Sequence, residues 1–322
     1  MIKSLAWRLV SVLGTALLLM FFSEYFFLNE GPVRRILASL SGEFDPMDFL
    51  ELAMYYCLFA YVFLIVMDRF SVSTIAALVL AGSIYGWAAE AMAVPIAYES
   101  PPISWFWTSV SWHALVDVII GWYLIRLAMR HLSAPKLIGV FIVTGLGWAV
   151  WATWFWGDTE AGALAPLSPA QFWGYVAATG AIWIGGMVLA DRGAMHSFQT
   201  SWLEIGLVGL ISTGLLGITG LAFLPLSLGL LVLIGLAFAA LTSARKASNG
   251  RSGFFDRLKQ PPPRSSYLLA ITMPLAAGLG YWGIIASGIT FGIADIILVL
   301  LFAGVFIFIW AMWRCFTAKP TP

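Results

Sequence analysis

Along this 322-residue chain the apolar positions do not alternate with polar ones; they run together in stretches of about twenty. Ten such stretches stand out, approximately 7–28, 50–67, 73–95, 104–127, 136–156, 170–190, 203–223, 226–243, 267–287 and 290–314. Each is long enough to cross ~30 Å of hydrocarbon as a helix rising 1.5 Å per residue. Continuous rather than alternating hydrophobicity selects helices over strands, because a backbone in lipid must satisfy its own hydrogen bonds. The seventh and eighth stretches share one Leu/Gly-rich run divided only by Leu224-Pro225-Leu226-Ser227. A break there gives ten spans, a kink nine. The pattern predicts an all-α, polytopic transmembrane helical bundle of about ten spans, a single integral membrane domain over 1–322.

Basic residues orient the bundle. With ten spans and both termini cytoplasmic, all but Arg34 and Arg35 of the 17 lysines and arginines fall on the inside. Nine spans would scatter them. Lys3 and Arg8 precede the first run as in a secretory signal, but no small-x-small cleavage site follows, so an uncleaved first span is expected. The outer loops are acidic and aromatic, with Trp105, Trp107, Trp154, Trp156 and Trp173 at outer helix ends as an interfacial belt. In the outer loop 29–49, Pro32 opens a segment with Val33, Ile36, Leu37 and Leu40 at helical spacing, which predicts a short amphipathic interfacial helix. The loop 244–266, with six basic residues and Pro261-Pro262-Pro263, reads as a flexible linker facing anionic lipid.

Composition narrows the function classes. The chain is 61% hydrophobic and 10% charged, with mean hydropathy +0.91. A soluble enzyme, a nucleic-acid-binding protein and a disordered chain are excluded, since 322 residues cannot bury so much apolar surface in water. The net charge of +1 offers no field to recruit polyanions, so the bilayer is the expected partner and nucleic acid is not. Cys57 and Cys315 lie in apolar runs and read as small hydrophobes. No lysine falls within the interior of a span, Lys136 standing at the very edge of the fifth, which leaves no retinal Schiff base. Of the three histidines only His113 lies in a span, too few for a paired-histidine haem, and there is no nucleotide-cradling motif.

A charge in hydrocarbon is costly, so the few that occur mark candidate chemistry. The fourth span reads Ser109-Val110-Ser111-Trp112-His113-Ala114-Leu115-Val116-Asp117. Ser109, His113 and Asp117 share one helix face, four residues apart, with His113 and Asp117 roughly 14 and 20 Å below the outer surface. Glu90 lies near the outer end of the third span, and the short Pro95–Ser104 loop makes spans three and four antiparallel neighbours. Glu90, His113 and Asp117 are therefore expected to converge in the outer half of the bilayer. Tyr98 and Glu99 in the loop, with Trp112 and Ser109, are the expected substrate contacts. Trp148, Trp151, Trp154 and Trp156 read as membrane anchors, and the glycines Gly180, Gly185, Gly186, Gly214, Gly217 and Gly220 as points of close helix approach.

The trio admits three chemistries. As ligands, Glu90, His113 and Asp117 suit a divalent metal such as zinc with an open position for water. As a hydrolase, Asp117 orients His113, which acts as base for Ser109 or for water on a lipid or peptide substrate. As a relay, desolvated carboxylates and His113 pass protons to the outside. A plain packing reading stands beside them, in which His113 and Asp117 bond each other to lock the bundle. The pentapeptide His113–Asp117 resembles one element of the type II CAAX-protease-like intramembrane endopeptidases, which pair His-x-x-x-Asn/Asp with an upstream glutamate helix. The likeness covers about a quarter of the chain. That family's double glutamate and arginine are here Ala89-Glu90-Ala91-Met92-Ala93-Val94, and its second histidine is missing. What the resemblance implies is peptide cleavage within the membrane. A proton-coupled transporter of two five-helix halves, or an accessory subunit of a membrane complex, are the alternatives. Residues 1–156 and 170–322 show no convincing mutual similarity, and a bacterial inner membrane is the expected location.

Overall fold

The computed structural model describes residues 2–26, 46–153, 167–248, 253–289, 291 and 293–319. Among these residues ten helices are long and apolar enough to cross a membrane: α1 (Ser4–Tyr25), α2 (Phe49–Arg69), α3 (Ile75–Ala93), α4 (Ile103–His131), α5 (Ala134–Trp151), α6 (Pro169–Ala194), α7 (Trp202–Leu221), α8 (Leu226–Ala247), α9 (Arg264–Ser287) and α10 (Ala294–Phe316). The ten-span, all-α expectation holds, and the described residues contain no strand. Leu224-Pro225 does divide α7 from α8, because proline cannot supply the N–H that a continuous helix would need there. The amphipathic helix expected at Pro32–Leu40 lies outside the described residues.

Helix α3 is the axle of the bundle. It packs against α2, α4, α7, α8 and α10, and 94% of its most apolar window is buried, against 11% for α7 on the rim. Its glycines and alanines let neighbours come close: a Cβ on Gly86 would strike the backbone carbonyl of Ser109 on α4. On the other side α1 packs on α6, where Gly14 meets the Ala190 backbone, and α5 pairs with α9. Gly180 and Gly186 likewise sit against neighbours, but Gly185, Gly214 and Gly217 face open space and are not packing points.

Three helices lose α-regularity over part of their length. Residues Phe21–Tyr25 of α1, Ala89–Ala93 of α3 and Trp107–Leu124 of α4 are π-helical, with i→i+5 bonds that widen each turn. The carbonyls at the end of α1 are taken up by side chains. Trp112 Nε1 donates to Phe22 O at 2.9 Å, and Trp148 Nε1 (3.0 Å) and the Tyr175 hydroxyl (2.5 Å) donate to Tyr25 O.

The opposite end of the bundle carries the basic residues. The segment 253–263, expected as part of a flexible linker, packs onto it: Phe254 and Leu258 are fully buried, and Phe254 N–H donates to Val72 O at 3.1 Å. Asp191 and Glu204 both take arginine partners there. Asp191 is buried between Arg126 and Arg130, and Glu204 pairs with Arg8 at 2.8 Å.

Candidate functional site

The three π-helical stretches meet, and each brings polar side chains to the meeting point. On α4, His113 and Asp117 lie on one face, with His113 Nδ1 2.7 Å from Asp117 Oδ2. From α3, Glu90 Oε1 lies 2.7 Å from His113 Nε2. The imidazole thus bridges two carboxylates, one at each ring nitrogen. The convergence expected from sequence is real, and it is buried: Glu90, His113 and Asp117 are 6%, 4% and 0% exposed.

Two N···O contacts require two protons among one imidazole and two carboxyls. Either the ring is an imidazolium between two carboxylates, or one carboxyl is protonated and donates to a neutral ring. The net charge of the trio is −1 both ways, so a proton can pass through the imidazole without changing the charge buried there. Glu90 Oε2 and Asp117 Oδ1 remain buried with no hydrogen-bond partner among the described residues.

Further groups extend the network. The Tyr85 hydroxyl donates to Asp117 Oδ2 at 3.2 Å. Ser23 Oγ is 3.4 Å from His113 Nδ1, and the Tyr56 hydroxyl is 2.5 Å from both Ser23 Oγ and Glu24 Oε1. Tyr56 has one proton for two partners; donated to the carboxylate, it leaves the phenol oxygen to accept from the serine. A continuous hydrogen-bonded path then runs from His113 through Ser23 and Tyr56 to Glu24, a half-buried carboxylate at the end of α1. Sequence reasoning overlooked these four residues. Glu24 carried a signal, a lone acid inside the first apolar run. Ser23, Tyr56 and Tyr85 carried none, since such residues are ordinary in membrane helices.

The arrangement does not fit a shared metal. The two carboxylates stand at opposite ends of the ring, at hydrogen-bonding distance, whereas zinc would need all three groups about 2.0–2.2 Å from one point. No group of three His, Cys, Asp or Glu side chains among the described residues is placed to hold a metal ion. Nor do Ser109, His113 and Asp117 form a nucleophilic triad: Ser109 Oγ is buried with no hydrogen-bond partner among the described residues. The expected substrate contacts are dispersed. Trp112 spends its N–H on Phe22 O and stacks on Trp151 at 4.5 Å. Tyr98 stacks on Phe223 at 5.0 Å, and Glu99 is exposed.

Comparison with family models, with curated proteins and with solved structures gives no match for this chain.

Proposed function

We propose that this multi-pass membrane protein is a proton-coupled small-molecule transporter, set in a bacterial inner membrane with its basic face inward, and that Glu90, His113 and Asp117 carry the coupled proton. The single observation behind this reading is the His113 ring held between two carboxylates at 2.7 Å on each nitrogen. Imidazole accepts a proton on one nitrogen while releasing one from the other, and the path through Ser23 and Tyr56 links it to half-buried Glu24. Ionisable groups placed deep among apolar helices are the usual material of proton relays in pumps and transporters.

A hydrolase of lipid or peptide is the second reading. It rests on Glu90 Oε2 and Asp117 Oδ1, two buried acceptors with no partner among the described residues, able to hold and deprotonate a water. Against it stands Ser109, whose Oγ has no hydrogen-bond partner among the described residues, so the histidine does not hold that serine ready for activation.

The test is proton movement in proteoliposomes with a trapped pH-sensitive dye, after a pH jump within about pH 5–8, where histidine exchanges protons. Protein-dependent flux abolished by His113→Ala and by Asp117→Asn is the expected result. Wild-type flux no greater than in protein-free vesicles would overturn the proposal, and cleavage of a lipid or peptide without proton flux would establish the hydrolase.

A further inference from the structure

At the basic end, a cavity of about 400 Å³ opens between the α2–α3 connection and the ends of α8 and α10. Arg314 and Lys319 border it, both exposed and neither in an ion pair or hydrogen bond among the described residues. The Ser248 hydroxyl lies on its wall, bonded to Arg245 O at 2.8 Å. The start of α3 also lines it, where Thr74 caps only the Ala77 N–H, at 3.2 Å, and the Ile75 and Ala76 N–H groups have no intrahelical acceptor.

A helix start alone would mean little. Here a buried donor accompanies it: Ser73 is 7% exposed, lines the cavity, and its hydroxyl has no hydrogen-bond partner among the described residues. Unspent N–H groups at the positive end of a long helix, an unspent hydroxyl and two unspent cations together match a phosphate group. Trp310, 40% exposed at the mouth, is the amphipathic ring that settles at headgroup depth.

We infer that this cavity is a binding site for a phosphate-bearing anion, held by Arg314, Lys319, Ser73 and the N-terminus of α3. The inference is independent of the proton-transport reading, since no residue of the two sites is shared. The same chemistry is offered by an anionic phospholipid headgroup and by free phosphate, and the experiment separates them.

Purified full-length protein is incubated with mixed vesicles of phosphatidylglycerol and phosphatidylcholine, and the retained lipid is read by native mass spectrometry. In parallel, inorganic phosphate is titrated while thermal unfolding is followed. If the ligand is lipid, phosphatidylglycerol is retained over phosphatidylcholine, and the Arg314→Gln/Lys319→Gln double variant binds it about 30-fold more weakly, the contribution of two interfacial cations. If the ligand is free phosphate, the melting temperature rises with phosphate and the rise is lost in the double variant. In either case Ser73→Ala weakens binding severalfold with the unliganded melting temperature unchanged. Lipid retention and a phosphate response that are absent, or equally strong in wild type and the double variant, would overturn the inference.

Discussion

Helix α4 carries two buried ionic clusters, one near each end, and they are built from opposite materials. Toward one end, His113 sits between Glu90 and Asp117, three groups that can each bind or release a proton. Toward the basic end, Asp191 of α6 is gripped by Arg126 (Nε 2.8 Å) and Arg130 (Nη2 2.7 Å), with the Tyr267 hydroxyl donating at 2.8 Å. Arg130 also donates to the carbonyls of Arg126, Leu258 and Gln260, at 2.6, 3.0 and 2.7 Å. Guanidinium does not release its proton in a protein, so this second cluster can fasten helices but cannot relay. One helix therefore bears a titratable centre and a permanent clamp, and the clamp holds α4 to α6, α9 and the segment 253–263.

That contrast is strongest at Asp191. Asp191→Ala leaves two buried guanidinium groups uncompensated and is expected to destabilise the protein by about 3–5 kcal/mol, read by denaturant unfolding in detergent. A loss below about 1 kcal/mol, the range of exposed pairs, would show that water reaches the clamp. Gly86→Ala comes next. Its Cβ would meet the Ser109 carbonyl, so α3 and α4 must part, costing about 1–3 kcal/mol and breaking the Glu90–His113 contact. Proton flux should fall with it, and unchanged flux would separate the trio's role from the close approach of these helices. The smallest effects sharpen the comparison most, because each cluster has a tyrosine donating to its carboxylate. Tyr85→Phe and Tyr267→Phe should each cost about 0.5–1.5 kcal/mol, but only Tyr85→Phe should alter proton flux. Equal effects on flux would erase the distinction between centre and clamp.

The bundle was largely legible in sequence because its governing quantity is additive. Twenty consecutive apolar residues satisfy the bilayer wherever neighbours lie, and Leu224-Pro225 marks its own break by removing a donor. The trio was legible for a related reason: Glu90, His113 and Asp117 stand out against hydrocarbon, and a short loop forces their helices together. What stayed hidden depends on helix rotation. Nothing in the spacing of Tyr56 or Tyr85 says which way its hydroxyl faces, and Asp191 at a helix end looks like any surface acid until α6 is turned toward Arg126. Trp112 misled for the same reason; its indole faces the end of α1 rather than a substrate. The π-helical turns were invisible too, since no composition separates them from ordinary helix.

Those wide turns have a consequence for how the chain tolerates length changes. Each i→i+5 closure from Trp107 to Leu124 holds one residue more than an α-turn. Removing a single residue ahead of Val110 would swing everything downstream by roughly a quarter turn around the axis. The imidazole would then face away from Glu90 while the helix still spanned the bilayer, so a one-residue deletion would leave a folded protein with its wiring cut.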